Sequence, residues 1–596
     1  MTTNDTLPVW DLSPFYKSPT DPKIKSDMSL LAKEYQAIQK KYKGKVHELS
    51  GEQMEALVEI MEALSLKSGK LGAFASLLTT VDTKNEGYGA LQQKITEWAA
   101  DLSKYTLFFG IEWKKVPEEK ALRVINAVKN PTYKHFLTHM RAFAPYALSE
   151  EIEEVLIEKD VTGWESWERL FTQMTSSFIY LFNRKKLTQS EVMKLLSDPQ
   201  RVVRKQASEV ITETLFERKM ELTHIYNTLI ADKMLEDKRR TYPSWLTGRN
   251  LGNKVSDKVV NKLIESVTGR YDIVSRHYTL KRKLLGLSEL MDFDRYAPLN
   301  LSKKETNIPW NDAVAIVQSA YRDFSPEMGD VVETLFKENA IHAALLPHKR
   351  PGAFSASTIA SIHPYILMNY TGKDDDVMTL AHELGHAIHQ YLAGKTHGQI
   401  GMGMPLTTQE LASTFGEMIT FSKLKETVEG KEKLALLMKK TDSIIATVFR
   451  QTAMHCFEDA VHWKRRKKGE LKYDDFCEVW MKTQRAMFGK SVKLREEYRG
   501  WWSYIPHFIH TPGYVYSYAF GELLALSLYK LYITNPHEFT PTYVALLKAG
   551  NSDYPENLLK KAGVDITTDS IWYEGLSVID EFVAEETKLA TELGLI

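Results

Sequence analysis

The sequence is poor in the features that would place it in several large protein classes. Its 596 residues contain only two cysteines, Cys456 and Cys477, which are too few for a disulfide framework and fit a reducing compartment. The 77 basic and 77 acidic side chains cancel, so no net charge favours binding to nucleic acid or to an anionic membrane. The longest apolar stretches, such as 444–449 and 523–528, are far shorter than the roughly 20 residues that span a bilayer.

These absences predict a soluble, cytoplasmic protein. The first eight residues lack a basic start followed by an apolar stretch, so we expect no secretion signal. Helical periodicity dominates residues 25–150, and a β-like patch at 177–182 precedes the turn-rich residues 197–199. We therefore predict an N-terminal helical domain, 1–196, followed by a second and catalytic domain, 197–596. No obligate protein partner is evident.

One short motif carries most of the chemical information. Residues 382–386 read His-Glu-Leu-Gly-His, and residues four apart on a helix lie on one face. His382 and His386 can therefore bind the same Zn²⁺, and Glu383 stands beside the ion, where it can act on a water molecule. The motif predicts a hydrolytic metalloenzyme with one zinc ion per chain, provided that the segment is helical. An accidental match on an exposed helix is the alternative.

The flanking residues favour a helix with a buried face. Residues 374–376 are aspartates that supply carboxylates for the N-cap and first turn, and Gly394 is a stop signal. Apolar residues recur at helical spacing: Val377, Leu380, Leu384, Ala387, Ile388 and Tyr391. Gly385 lowers helix stability, which predicts that another backbone or a substrate approaches closely at this position.

A catalytic zinc site needs a third protein ligand and one open position. Residues 407–417 open a second amphipathic segment, in which Glu410 and Glu417 lie seven residues apart on one helix face. Either carboxylate can bind the ion, and the other can hold a ligand side chain. For Glu410 an alternative stays open, because Thr407 and Glu410 have the spacing of a helix capping box.

The segment 507–518 carries candidate contacts to a substrate. It places several hydrogen-bond donors around the turn signal Pro512-Gly513: His507, His510, Tyr514, Tyr516 and Tyr518. Such donors can stabilise the oxyanion that forms when a peptide carbonyl is attacked. The alternating tyrosines can also be an aromatic packing stripe.

A short strand is predicted within 361–370, before the motif helix, with Gly352 and Ala353 on a neighbouring strand or turn. An edge strand at this place can bind an extended peptide by main-chain hydrogen bonds, which makes Gly352 and Ala353 candidate substrate contacts. A hairpin that only supports the helix is the alternative.

Four blocks of sequence resemble one known family. Residues 351–370, 380–389, 410–417 and 505–518 match the motifs of oligoendopeptidase F, a relative of thimet oligopeptidase, in the order in which that family has them. The blocks extend over about 170 residues, so the resemblance is much more specific than the zinc motif alone.

The resemblance implies a role for each residue of the metal motif. His382, His386 and Glu410 would bind zinc, and Glu383 would be the general base. Glu417 matches a family carboxylate, which we interpret as the acceptor of a hydrogen bond from a ligand imidazole.

The resemblance also extends to the later block. It implies that His507, Tyr514 and Tyr518 belong to a loop that closes over the substrate, while the neighbouring His510 leaves open which imidazole faces the carbonyl. His389 matches the family pattern as well, but a packing role is an equal alternative.

Together these observations predict a mainly α, multi-helix metallopeptidase of the zincin type, with a small β-sheet beside the active-site helix. The resemblance implies a deep substrate cavity that admits short peptides and excludes folded proteins. We expect a zinc endopeptidase that cuts internal bonds of short oligopeptides. One alternative is a zinc carboxypeptidase similar to carboxypeptidase Taq, which would need a fixed cation for the substrate C-terminus. Another is a non-catalytic peptide-binding protein, against which the intact Glu383 argues.

Overall fold

The computed structural model describes residues 7–299, 301 and 307–596, which fall into two units. Unit one comprises the described residues of Met1–Ala147, Thr306–Leu424 and Leu531–Asp565. Unit two comprises those of Leu148–Glu305, Lys425–Lys530 and Ile566–Ile596. The boundary predicted at residues 196 and 197 divides the chain only once along its length. Each unit, in contrast, is assembled from three separate segments. The predicted boundary therefore stays a prediction.

Helices dominate both units, which confirms the predicted mainly α fold. The helices of the first half of the chain are α1 (Pro22–Tyr42), α2 (Gly51–Val81), α3 (Glu86–Ser103), α4 (Leu107–Lys115), α5 (Glu118–Ala127), α6 (Pro131–Arg141), α7 (Glu150–Asp160), α8 (Trp164–Ser176), α9 (Gln189–Lys194), α10 (Arg201–Glu217), α11 (Lys219–Arg240), α12 (Thr247–Gly252), α13 (Asp257–Thr268) and α14 (Tyr271–Leu284). The helices of the second half are α15 (Trp310–Phe324), α16 (Pro326–Lys337), α17 (Asp374–Met402), α18 (Leu406–Gln409), α19 (Leu411–Glu426), α20 (Gly430–Ile445), α21 (Gln451–Lys468), α22 (Tyr473–Phe488), α23 (His507–His510), α24 (Tyr516–Thr534), α25 (Pro536–Ala549), α26 (Pro555–Lys561) and α27 (Ser570–Glu592). None of these described helices is both long enough and apolar enough to cross a membrane.

Strands are few and short. They are β1 (Tyr180–Phe182), β2 (Lys185–Leu187), β3 (Ile341–His342), β4 (Phe354–Ala356) and β5 (Tyr365–Leu367). In unit two, β1 and β2 form an antiparallel hairpin at the patch where the sequence predicts β structure. In unit one, the other three strands form a sheet in the order β3, β5, β4, with β5 parallel to β3 and antiparallel to β4. This small sheet packs against α17, as predicted.

The strand predicted within 361–370 is β5, but it is not an edge strand. It lies in the centre of the sheet, and all three of its residues are buried. Its two neighbours in the sheet come from separate segments of the chain, so the local sequence did not show that both of its edges are paired. The edge strands are β3 and β4, and β4 begins directly after Gly352 and Ala353.

The motif helix α17 forms as predicted over its apolar face, with a run of 0% exposed side chains: Val377, Leu380, Leu384, Ala387 and Ile388. At its N-terminus, the Asp376 carboxylate accepts hydrogen bonds from the backbone N–H groups of Thr371 (2.7 Å) and Lys373 (3.0 Å). The aspartates therefore act from the first turn, and Lys373 occupies the N-cap position.

Gly394 does not end this helix, contrary to the prediction. It is buried inside α17, where an added Cβ would lie 3.0 Å from the Met402 sulfur, so tight packing explains the glycine. The helical path breaks at Gly398, whose φ of 68° is a conformation that glycine adopts readily. Just beyond this break, the Ile400 N–H donates to the Glu62 carboxylate of α2 at 2.8 Å.

Gly385 lies where α17 and α19 come into backbone contact, which confirms the prediction of a close approach. A Cβ at this position would overlap the carbonyl oxygen of Ala412. On the facing helix, Gly416 leaves room for the hydroxyl group of Tyr321, which donates to the Ala381 carbonyl oxygen at 2.6 Å. Two glycines, one on each helix, thus allow close contact between α17, which carries His382 and His386, and α19, which begins directly after Glu410.

Unit two has an aromatic core and one irregular helical turn. The Tyr226 ring of α11 lies 5.8 Å from the Trp502 ring and stacks on it, within a cluster that α10, α21 and α22 also supply. Between α20 and α21, residues Ala446–Arg450 form a π-helical turn. Cys456 and Cys477 both belong to this unit and are free thiols.

We predict that Gly385→Ala destabilises the protein by about 1–3 kcal/mol, because the new methyl group must push two helix backbones apart. Urea denaturation would measure the change. Gly72→Ala is the matched control, since a Cβ there meets no atom within 4 Å in the interior of α2. Alanine should stabilise that helix by up to about 1 kcal/mol. Equal behaviour of the two variants would contradict the close approach as the reason for Gly385.

Candidate active site

Three predicted ligands meet in unit one. The His382 Nε2 atom lies 3.3 Å from Glu410 Oε2, and the His386 Nε2 atom lies 3.4 Å from the same oxygen. One ligand atom from each residue can be chosen so that all three lie within 4.8 Å of one another. Two imidazole nitrogens and one carboxylate oxygen are a donor set that divalent zinc takes in catalytic sites, so the residues fit the predicted ion.

Glu410 reaches this cluster from the junction of two helices. It is the C-cap residue of α18, and α19 begins immediately after it. The hydroxyl group of Ser413 donates to the Glu410 carboxylate at 3.1 Å and helps to orient it. The capping-box alternative is wrong, because Thr407 lies inside α18, whose N-cap residue is Pro405.

Glu417 forms a hydrogen bond with His382 on the side of the ring that faces away from Glu410. Its Oε1 atom accepts a hydrogen bond from His382 Nδ1 at 2.7 Å. This contact fixes the orientation of the ring and leaves Nε2 directed toward the Glu410 carboxylate. A carboxylate bonded to the distal nitrogen of a ligand histidine is a common arrangement in metal sites, since it fixes the tautomer and increases the basicity of the ring.

Glu383 is 6% exposed and lies next to the ligand pair on α17. Burial raises the pKa of its carboxyl group, although the positive charges of His382 and His386 oppose this effect. The backbone of Ser355 in β4 also lowers the pKa of this carboxyl group slightly. Sequence patterns do not reveal this proximity, because it involves only main-chain atoms.

The remaining charges of the cluster are mutually supporting. Burial opposes protonation of His382, but hydrogen bonds to Glu410 and Glu417 outweigh it and raise the pKa of the imidazole. Burial likewise opposes ionisation of Glu410, yet its bonds to the two histidines lower its pKa. Carboxylates that stay ionised beside histidines create an electrostatic environment that favours a cation.

His389 does not join the cluster. It is 5% exposed, and its Nδ1 atom has no hydrogen-bond partner among the described residues. Burial, together with the positive charge of His386, lowers its pKa to about 3, so the ring stays neutral. It borders a small void with Pro405 and Leu411, which supports the packing interpretation.

Gly352 and Ala353 precede the edge strand β4. Gly352 has a φ of 85° and is exposed, and an added Cβ would meet no atom within 4 Å. Its carbonyl oxygen accepts a hydrogen bond from Asn369 Nδ2 at 3.0 Å. The two residues thus form the turn that leads into β4.

A second group of predicted residues meets in unit two. The His507 Nε2 atom lies 3.2 Å from the Tyr518 hydroxyl oxygen. The His507 and Tyr514 rings are parallel within 4° at 6.0 Å, and the Tyr514 and Tyr518 rings meet edge to face at 5.0 Å. Burial lowers the pKa of His507, as does the positive charge of Arg450. The cluster consists of a neutral imidazole and two phenols.

Two neighbours in the same segment do not belong to this cluster. Tyr516 is 0% exposed, and its hydroxyl group donates to Asn250 at 2.7 Å and accepts from Asn253 at 2.8 Å. The packing interpretation therefore holds for Tyr516. His510 instead faces α8, where its Nε2 atom lies 3.3 Å from the Thr172 hydroxyl oxygen.

The turn between these residues is anchored by two side chains that the sequence analysis missed. The Gly513 N–H donates to the buried Glu458 carboxyl group at 2.7 Å, and Arg249 Nε donates to the Pro512 carbonyl oxygen at 3.1 Å. Burial raises the pKa of Glu458 to about 8 even though the Gly513 bond opposes this. Only long-range contacts identify these anchors, since neither is near the turn in sequence.

The helical fold and the His-His-Glu cluster define a metallopeptidase. A model of peptidase family M3 matches residues 194–578, and a model described as oligopeptidase F matches residues 112–180. The chain belongs to peptidase family M3. The resemblance to oligoendopeptidase F in the sequence is thereby confirmed.

Individual relatives agree with this family. The plasmid oligoendopeptidase F of Lactococcus lactis subsp. cremoris is 27% identical over 593 residues, which cover 97% of each chain. A crystal structure of a protein from Chlamydophila abortus has a TM-score of 0.89 at 23% identity and covers 98% of both chains. The crystal structure of oligoendopeptidase-F from Enterococcus faecium has a TM-score of 0.70 at 22% identity, covering 96% of this chain and 99% of that one. The structural similarities support the fold.

We predict that Glu417→Gln weakens zinc binding by about 10- to 100-fold, because an amide holds the His382 ring less firmly and makes it less basic. Competition with a chromophoric chelator would measure the affinity. Glu426→Gln removes an exposed carboxylate from the same helix and should leave the affinity unchanged. Equal affinities in the two variants would show that the 2.7 Å contact does not support the metal site.

Proposed function

We propose that this protein is a zinc-dependent endopeptidase that hydrolyses internal bonds of short oligopeptides in the cytoplasm. The observation that carries the proposal is the convergence of His382, His386 and Glu410 on one point beside a buried Glu383. Membership of a peptidase family supports the reaction type, and relatives named oligoendopeptidase F support the size of the substrate.

In this proposal His382, His386 and Glu410 would hold the zinc ion. When bound, Zn²⁺ acts as a Lewis acid that polarises a carbonyl group and makes a water molecule more acidic. Glu417 keeps the His382 ring in the tautomer that presents Nε2 to the ion.

Glu383 is the general base. It removes a proton from the attacking water and passes this proton to the amine that leaves. Its place directly after the first ligand puts the carboxylate beside the reacting atoms. The nearby backbone of Ser355 supports this role, because it favours the ionised carboxylate that can accept a proton.

His507, Tyr514 and Tyr518 supply hydrogen-bond donors for the negative charge that develops on the carbonyl oxygen. Their mutual contacts support a joint role, since each ring restrains the next. The anchored turn at Pro512 and Gly513 adds to this restraint. His510 contributes to substrate binding in the same segment. Because its ring contacts Thr172 of α8, this contribution is less direct than that of His507.

The edge strand β4 offers main-chain hydrogen bonds to an extended peptide, with Gly352 and Ala353 at its entry. The position of β4 at the sheet edge supports this use, because one edge of β4 pairs with β5 and the other pairs with no strand among the described residues. Main-chain recognition tolerates many side chains, which suits an enzyme that acts on varied oligopeptides.

Digestion of peptides with both ends blocked tests the proposal. We expect mass spectrometry to show internal cuts in short peptides, no cuts above a limiting length, and loss of all cuts when a chelator removes the metal. Blocked ends exclude exopeptidases, so zinc-loaded protein that leaves every blocked peptide intact would contradict endopeptidase action. Trimming of only those peptides that have a free C-terminus would indicate a carboxypeptidase.

Glu383→Gln is the matched control for this assay. It should bind zinc as tightly as the unchanged protein, yet cleave about 10²- to 10⁴-fold more slowly, because the amide cannot accept the proton. Measured zinc content separates a lost base from a lost metal. Unchanged turnover by the zinc-loaded variant would refute the role of Glu383 without touching the assignment of the ligands.

We predict opposite effects for two tyrosines that are two residues apart. Tyr514→Phe should lower kcat by about 10²- to 10³-fold with little change in stability, because it removes only a donor to the oxyanion. Tyr516→Phe should keep kcat close to normal and cost about 1–3 kcal/mol of stability, since it removes one hydrogen bond from each of two buried amide groups. Steady-state kinetics and urea denaturation of both variants test the pair, and a larger loss of kcat in Tyr516→Phe would reverse the assignment.

A further inference from the structure

Unit two contains a cavity of about 490 Å³ whose lining residues all belong to that unit. It borders α14, α20 and the π-helical turn Ala446–Arg450, and none of its lining residues belongs to the zinc cluster. Its volume falls within the range of cavities that bind small molecules, roughly 300–1,000 Å³. The space is therefore large enough for an organic ligand and much larger than a single inorganic ion requires.

Two arginines line this cavity. Arg295 is 4% exposed, and its guanidinium group lies over the rings of Tyr296 (5.0 Å) and Phe488 (5.2 Å). Its hydrogen bonds go to the Asp292 carbonyl oxygen at 2.9 Å and, at 3.4 Å, to the Tyr498 hydroxyl oxygen. Among the described residues, Arg295 thus forms no ion pair with a carboxylate, which is unusual for a buried guanidinium.

Arg450 is the second of these arginines, and it lies at the end of the π-helical turn. Its Nη2 atom donates to the Tyr504 hydroxyl oxygen at 2.8 Å, while its buried Nε atom has no partner among the described residues. Turns of this kind insert an extra residue into a helix and occur frequently at functional sites. Here the insertion brings both ends of the turn, Ala446 and Arg450, to the cavity wall.

Asp442, the acidic residue among the described residues that line the cavity, does not neutralise these charges. Asp442 accepts hydrogen bonds from Lys281 at 2.6 Å and from His277 at 3.0 Å. Its carboxylate is therefore already matched by cations of α14. Burial opposes ionisation of the Tyr296 phenol, but Arg450 and Arg295 outweigh it and lower the pKa of this group. The cavity thus has an uncompensated positive potential.

Much of the remaining wall is apolar, although Ser197 and Lys439 also line the cavity. Leu299, Met438, Met487 and Phe488 line the space, and the last three side chains are at most 1% exposed. An inorganic anion would lose its hydration against these walls, whereas a hydrocarbon group would gain about 25 cal/mol for each Å² of its own surface that leaves water. Guanidinium groups pair well with carboxylates, because the planar fork matches the two oxygens.

We propose that this cavity binds an organic carboxylate, a carboxyl group attached to an apolar body, with Arg295 and Arg450 as its cationic partners. The source is either a free small acid or the C-terminal residue of a short peptide, since both present the same chemistry. The proposal does not depend on the zinc site or on peptidase activity. It assigns to unit two a ligand site of its own.

Isothermal titration calorimetry of the full-length protein in chloride-poor buffer tests this proposal. The probes are 3-phenylpropanoate and its amide, which share a shape and differ in charge. We expect the acid to bind and the amide to bind at least about tenfold more weakly. A second pair, N-acetylphenylalanine and its amide, distinguishes the two sources: tighter binding of N-acetylphenylalanine than of phenylpropanoate indicates a peptide end, and weaker binding indicates a free acid. Equal affinity for acid and amide, or no binding of either acid, would overturn the proposal.

Substitutions locate the binding site. Arg450→Met should weaken binding of the acid by at least about tenfold, because a charged hydrogen bond is lost. Arg239→Met makes the same charge change at an exposed position of α11 and should have no effect. Ala435→Leu fills the cavity from α20 without removing a charge and should also abolish binding. Circular dichroism checks the fold, and if Arg450→Met does not fold, Ala435→Leu decides. Binding that survives in the folded variants refutes the assignment.

Discussion

The backbone contact between α17 and α19 is the constraint on which the candidate metal site depends. Two histidines on one helix and two glutamates from a second segment can meet only if the helices approach more closely than ordinary side chains allow. Gly385 and Gly416 remove the obstructing Cβ atoms at this crossing, and the Tyr321 hydroxyl group occupies the space that Gly416 leaves. Packed interiors resist small displacements, so the same contact keeps the ligand atoms at fixed separations before an ion binds. The ligand side chains are thus ordered when the protein folds. Metal binding therefore loses less conformational entropy, and the affinity for the ion is higher.

A common pattern links the site residues of both units. Two of the groups that we assign to chemistry are restrained by a neighbouring carboxyl group: Glu417 accepts a hydrogen bond from His382, and Glu458 accepts one from the turn before Tyr514. Glu458 is buried and Glu417 is partly buried, and a hydrogen bond shielded from water is electrostatically stronger than one in water. These hydrogen bonds therefore restrict the motion of the site residues.

The sequence was sufficient for what is local and periodic, and insufficient for what depends on distant contacts. The spacing of His382 and His386 and the apolar stripe of α17 needed no structure, because a helix converts sequence spacing directly into geometry. The role of Gly394 could not be predicted, since a glycine that packs tightly and a glycine that ends a helix look the same in sequence. The exposure of a strand edge was equally invisible, as the neighbours of β5 come from 341–342 and 354–356. Arg295 and Arg450 are separated by 155 positions, so only the folded unit places them on one cavity.

The discontinuous make-up of the two units has a consequence for synthesis of the chain. Unit one requires Leu531–Asp565 and unit two requires Ile566–Ile596, so neither can complete its core while the ribosome is still translating the middle of the message. Domains usually fold as units in the order in which they emerge, and contacts between distant segments slow folding. This chain must instead hold its early helices in an incomplete state until its last segments appear. Its nascent form therefore leaves apolar helix faces uncovered until the segments that complete each core have been translated.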